Sequence, residues 1–148
     1  MIRKAAVAAL LVGILFAAGG SAAGDDAAVR SSGFEGVWIG SWPMYQDTAT
    51  TQDVTLTTGT RGDDGTFPVE YSWGAVSSMR GITPPGSLRT KGREREDTFV
   101  ARWKTRQGVE HRLTLRKQGE DLVKARIDRT GSLSPVERPY SETQLKRR

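Results

Sequence analysis

His111 is the single imidazole in this 148-residue chain, and acid–base, triad or metal chemistry would have to be built around it. No constellation forms. Ser-His-Asp chemistry needs a serine within hydrogen-bond reach of the ring, and no nucleophile-elbow motif marks any serine. The carboxylate pairs Asp63-Asp64, Glu94 with Glu96, and Glu120-Asp121 fall in turns or on a charged strand, where solvation is the ordinary role. Glycine-rich segments do not precede a helix, so no phosphate-binding loop is expected. With no cysteine, redox chemistry and thiolate metal sites are excluded, and a one-histidine metal site would need carboxylates gathered about it. The expectation is a protein that binds rather than catalyses, with no cofactor and no metal.

Two other groups have the chemistry of a binding site. Trp38, Tyr71, Trp73 and Trp103, with His111, are placed by alternation on the inner side of strands, where they would stack on a flat or apolar ligand. The plain alternative is core filling, with His111 bonded to a hydroxyl or carbonyl of the protein itself. Trp42, beside Pro43 at a strand end, reads equally as a rim residue. The same alternation turns Arg102, Lys104, Arg112, Arg116, Lys124 and Arg126 outward on neighbouring strands as a basic patch for phosphates, acidic polysaccharide or lipid headgroups. Against it stands the ordinary charged exterior of a sheet, tempered by Glu110, Asp121 and Asp128. Nucleic acid fits poorly, because alternation sets Trp103 on the face opposite Arg102 and Lys104.

The elements that must position these residues are strands. Apolar residues recur at every second position in short segments separated by glycine turns, and little helical periodicity is present. Phe34 to Trp42, Gln52 to Thr58 and Thr66 to Trp73 read as three strands, the last two joined across Asp63-Asp64-Gly65. Gly74 to Gly86 reads as an irregular stretch able to serve as a flap, and the charged segment Ser87 to Arg95 as an edge or solvent-lined strand. Thr98 to Thr105, a strand carrying Val109 to Leu115, Asp121 to Arg129, and a short Ser141 to Lys146 complete the series. Seven or eight sequential antiparallel strands form a meander, and closing it into a small all-β barrel leaves no exposed edge.

Arg3 and Lys4, the apolar run Ala5 to Ala18, and Ser21-Ala22-Ala23 have the three-part form of a cleaved signal peptide over 1–23. The run is short for a membrane span. A flexible segment over 24–33 and one barrel domain over 34–148 follow. Removing the signal takes the charge from +5 to 20 − 17 = +3. Charge is unevenly spread: Gly24 to Met79 carries two basic and eight acidic residues, Arg80 to Arg148 eighteen and nine. The sequence has no asparagine and hence no N-glycosylation acceptor, which together with the absence of cysteine suits a bacterial periplasmic or secreted protein without a lipid anchor or a span in its mature form.

Through Gly36-Val37-Trp38 and the later glycine-turn rhythm, the chain resembles the calycin group of lipocalins, fatty-acid-binding proteins and avidin-like barrels. That resemblance implies that Trp38 closes one end of the barrel against an arginine near the last strands, Arg126 or Arg129. It also implies a small apolar or amphipathic ligand; no set of biotin-contacting residues is present. The chain is similar as well to a bacterial exported barrel domain with a G-x-W-x-G-x-W opening, here Gly36 to Trp42, and a Tyr71-Ser72-Trp73-Gly74 strand end. Two functions follow as expectations. One is a carrier barrel lined by Trp38, Tyr71, Trp73, Trp103 and His111, requiring a cavity of a few hundred Å³ open at one mouth. The other is a packed module that takes an anionic envelope component or a protein on the outer cationic sheet.

Overall fold

The computed structural model describes residues 33–44, 50–78, 81–133 and 138–148. The expected signal peptide and nearly all of the segment to residue 33 lie outside them. The described residues form ten strands: β1 Gly36–Pro43, β2 Thr51–Thr58, β3 Phe67–Trp73, β4 Val76–Ser78, β5 Gly81–Thr83, β6 Gly86–Arg95, β7 Thr98–Lys104, β8 Glu110–Lys117, β9 Leu122–Thr130 and β10 Tyr140–Arg147. Eight of them close into an antiparallel barrel in the order β1-β10-β9-β8-β7-β6-β3-β2. Pairing of Gly40 with both Val54 and Leu145 joins the first strand to its two neighbours and leaves the barrel without an edge. No helix among the described residues is long and apolar enough to cross a membrane.

Three expectations change. Gly74 to Gly86 is not irregular throughout: β4 and β5 form a hairpin in which Ser77 pairs with Ile82. The charged segment β6 is not an edge, since it pairs with β3 on one side and β7 on the other. Two of its inner positions, Gly86 and Gly92, are glycine where large side chains of its neighbours lean across it. A Cβ on Gly92 would run into the Phe99 ring, and one on Gly86 into the Trp73 indole. The third change concerns the arginine that covers Trp38. It is Arg147, not Arg126 or Arg129: its guanidinium lies 4.7 Å from the Trp38 ring and donates to the Gly33 carbonyl at 2.6 Å.

These contacts define a closed end. Phe34 and Phe67 each lie 5.7 Å from Phe99. Trp38 Nε1 donates to the Phe34 carbonyl at 2.9 Å, so the indole is buried with its one polar atom satisfied. Leu56, Leu113, Leu115, Val123 and Leu145 fill the space above with no surface exposed beyond 1%. Chain direction sets the opposite end, where β1 and β3 finish and β2, β6, β8 and β10 begin, as the mouth.

Candidate functional site

Four of the five expected interior residues meet at the mouth. Tyr71 stacks on Trp103 with centroids 5.7 Å apart, Trp103 on His111 at 5.2 Å and 8° between planes, and Trp73 flanks Tyr71 at 5.9 Å. Trp42 is not a free rim residue: it is buried, and its Nε1 donates to the Tyr71 hydroxyl at 2.7 Å. Burial pushes the Tyr71 phenol up to about 12, opposed in part by the Trp42 hydrogen bond and by the positive charge of Arg129. Trp73, Trp103 and His111 are half-buried, so this stack reaches toward solvent. Arg129, paired in register with His111, donates to Ser141 Oγ at 3.0 Å in the same region. Trp38, the fifth residue, lies apart at the closed end.

The six expected cations all stand on outward positions of β7, β8 and β9, but they are used differently. Lys104 pairs with Glu110 at 3.6 Å, Lys124 with Glu142 at 3.1 Å, and Arg126 with Asp128 at 2.8 Å and Glu142 at 3.2 Å. The hydrogen bond from Lys124, with Arg126 beside it, holds the Glu142 carboxyl below its usual range. Arg102, Arg112 and Arg116 are exposed and make no ion pair among the described residues. Register sets like charges opposite one another, Arg102 across from Arg112 and Arg116 across from Lys124; Lys124 is offset by Glu142, and Arg112 has Asp128 across from it on its other side, whereas Arg102 and Arg112 repel across β7 and β8.

Two further arginines belong to this face. Arg93 and Arg95 on β6 are exposed and likewise without an ion pair, whereas Arg89 and Lys91 on the same strand are bound to Glu70 and Asp64. The signal was present in the sequence as cations at every second position from Arg89 to Arg95. On the outer face of β6 to β9, every cation left without an ion pair is thus an arginine, whose planar fork takes two oxygens of one oxyanion. A hollow of about 490 Å³ opens outward here, lined by Arg102, Trp103, Lys104, Glu110, His111, Arg112, Asp128 and Thr130. A second, of about 330 Å³, opens between the outer sides of β2, β3 and β6 beside Glu70 and Arg89. No group of three His, Cys, Asp or Glu that could hold a metal exists among the described residues.

No family model matches the chain, and no curated protein matches its sequence. Among solved structures it is similar to a de novo designed fluorescence-activating β-barrel, with 18% identity over 78% of this chain and 94% of that one, at a TM-score of 0.49.

Proposed function

We propose that this chain is an exported, non-catalytic module that binds an anionic component through the outer face of β6 to β8. The observation that carries this reading is the set of exposed arginines without ion pairs, with Arg102 directly opposite Arg112 beneath an open hollow. An anion seated between two such guanidiniums removes their repulsion and gains charge-assisted hydrogen bonds. The N-terminal signal pattern and the lack of cysteine support action in the periplasm or outside the cell. The test is binding to phosphatidylglycerol vesicles and to an anionic polysaccharide at low and high salt, with R102A/R112A as the control. Binding at low salt that fades at high salt and weakens in the double variant is expected. No binding at low salt, or binding indifferent to salt, overturns the reading.

A second reading rests on the half-buried stack of Trp73, Trp103 and His111. A flat amphipathic molecule would extend that stack at the mouth, in the manner of a calycin-like carrier, with the β4–β5 hairpin alongside. Quenching of tryptophan fluorescence by an aromatic dye, abolished in W103A, is the expected result; equal quenching in W103A overturns it.

A further inference from the structure

We infer that the anion received by this face is a linear polymer rather than a membrane surface, an inference that rests on the anion-binding reading above. The register draws a trough. Arg95 pairs with Thr98, and Thr98 with Arg116; Arg93 pairs with Val100, and Val100 with Thr114. Thr98 and Val100 on β7 are short and half-buried, so they form a floor between Arg93 and Arg95 on one wall and Arg112 and Arg116, separated by Thr114, on the other, with Arg102 at the mouth end. The walls stand two strand spacings apart, about 10 Å, and Arg112 and Arg116 are about 13 Å apart along β8. One phosphate cannot bridge such distances. Several linked oxyanions can, and the apolar methyls of Val100 give the polymer backbone a dry surface to cross.

Curvature separates a polymer from a bilayer. In a closed eight-stranded barrel the outward direction turns by about 45° from each strand to the next, so the arginines of β6 and β8 point about 90° apart. A flat membrane therefore engages one wall at a time. A flexible chain bearing phosphate, sulfate or carboxylate groups follows the curve and engages both, and each added contact is made at high effective concentration.

The full-length mature protein is titrated at low salt with inorganic phosphate, tripolyphosphate, long-chain polyphosphate, polygalacturonate and phosphatidylglycerol vesicles. Long-chain polyphosphate is expected to bind at least about tenfold tighter than tripolyphosphate. R93A/R95A is expected to weaken the long chain about tenfold while leaving tripolyphosphate, held at Arg102 and Arg112, nearly unchanged. Tight binding of either polymer supports the inference, and the tighter one names the oxyanion. Arg93 and Arg95 are exposed, so unchanged thermal unfolding checks that R93A/R95A folds. A flat length series, or vesicles binding more tightly than both polymers, overturns the polymer inference while leaving anion binding at Arg102 and Arg112 intact. Failure of every probe to bind at low salt overturns both.

Discussion

The two ends of the barrel are built from the same residue types and do different work. At the closed end, Phe34, Phe67 and Phe99 meet in a buried cluster, Trp38 is capped by the Phe34 carbonyl and Arg147, and Lys117 Nζ lies 5.0 Å from the Phe34 ring. At the mouth, aromatic rings alternate with polar groups: Trp42 is bonded to Tyr71, and Trp103 is stacked on His111. The difference teaches that an eight-stranded interior need not be uniform. Crossing phenylalanines fill one end, and the other buries a hydrogen bond between Trp42 and Tyr71 beneath the half-buried stack of Trp103 and His111.

The sharpest way to break this contrast is to remove a ring from each end. Phe99→Ala should destabilise by about 3–5 kcal/mol, because the ring is wholly buried between two others and leaves a cavity. Trp103→Ala, at a half-buried ring, should cost clearly less. Denaturant unfolding of the two variants decides it; equal losses would show that the mouth is packed as tightly as the closed end.

Next in size is the glycine that lets Phe99 cross. Gly92→Ala places a methyl against the Phe99 ring and should cost about 1–3 kcal/mol. The pair is coupled: in Phe99→Ala the added methyl enters vacated space, so the double variant should be more stable than the sum of the single losses implies. Strict additivity in a double-mutant cycle would refute direct contact between Gly92 and the ring.

That same glycine explains part of what the sequence concealed. Alternation made β1 to β3 and β7 to β9 legible, since Val54 and Leu56, or Leu113 and Leu115, announce their own inner face. Strand β6 has no such signature, because Phe99 and Trp73 supply the bulk that its glycines leave out, and its charges then suggested an edge. Nothing in the pattern of β6 therefore marks Arg93 and Arg95 as neighbours of the β7 and β8 cations. The β4–β5 hairpin was hidden by three-residue strands too short to show a period. Parity also gives side but not depth: Trp38 and Trp103 both face inward, yet they sit at opposite ends. Arg147 lies one residue beyond the segment whose alternation reads as a strand, Ser141 to Lys146, although it ends β10.

At the mouth, burial of the Tyr71 hydroxyl predicts a pH response, which the Trp42 hydrogen bond only partly offsets. The Tyr71 phenol loses its proton near 10 in an unfolded chain but only at about 12 in the barrel. Its contribution is therefore complete below pH 10 and falls away as the pH rises through 12, by roughly 3 kcal/mol. Tyr71→Phe strands the buried Trp42 donor and should cost about 1–3 kcal/mol at neutral pH. The variant should also lose less stability than the native chain between pH 10 and 12. Parallel pH profiles for the two would mean that Tyr71 is not shielded from water.

The smallest effect sharpens the comparison at the closed end itself. Arg147 covers the Trp38 ring, donates to the Gly33 carbonyl, and lies 3.6 Å from Asp121. The Asp121 contact is solvent-exposed on its acidic side and contributes little. The stacking and the carbonyl bond together put Arg147→Ala at about 1–2 kcal/mol. Replacement by Lys keeps the charge but not the flat face or the fork, so it should recover only part of that loss; replacement by Met restores apolar cover without charge. If Met matches the native arginine in thermal unfolding, the guanidinium acts as a lid of the right size. If Lys does so, positive charge over the indole is what holds the closed end shut. An intermediate rank for both assigns the cap to the planar stack and its bond to Gly33 acting together, a pairing that neither substitute reproduces.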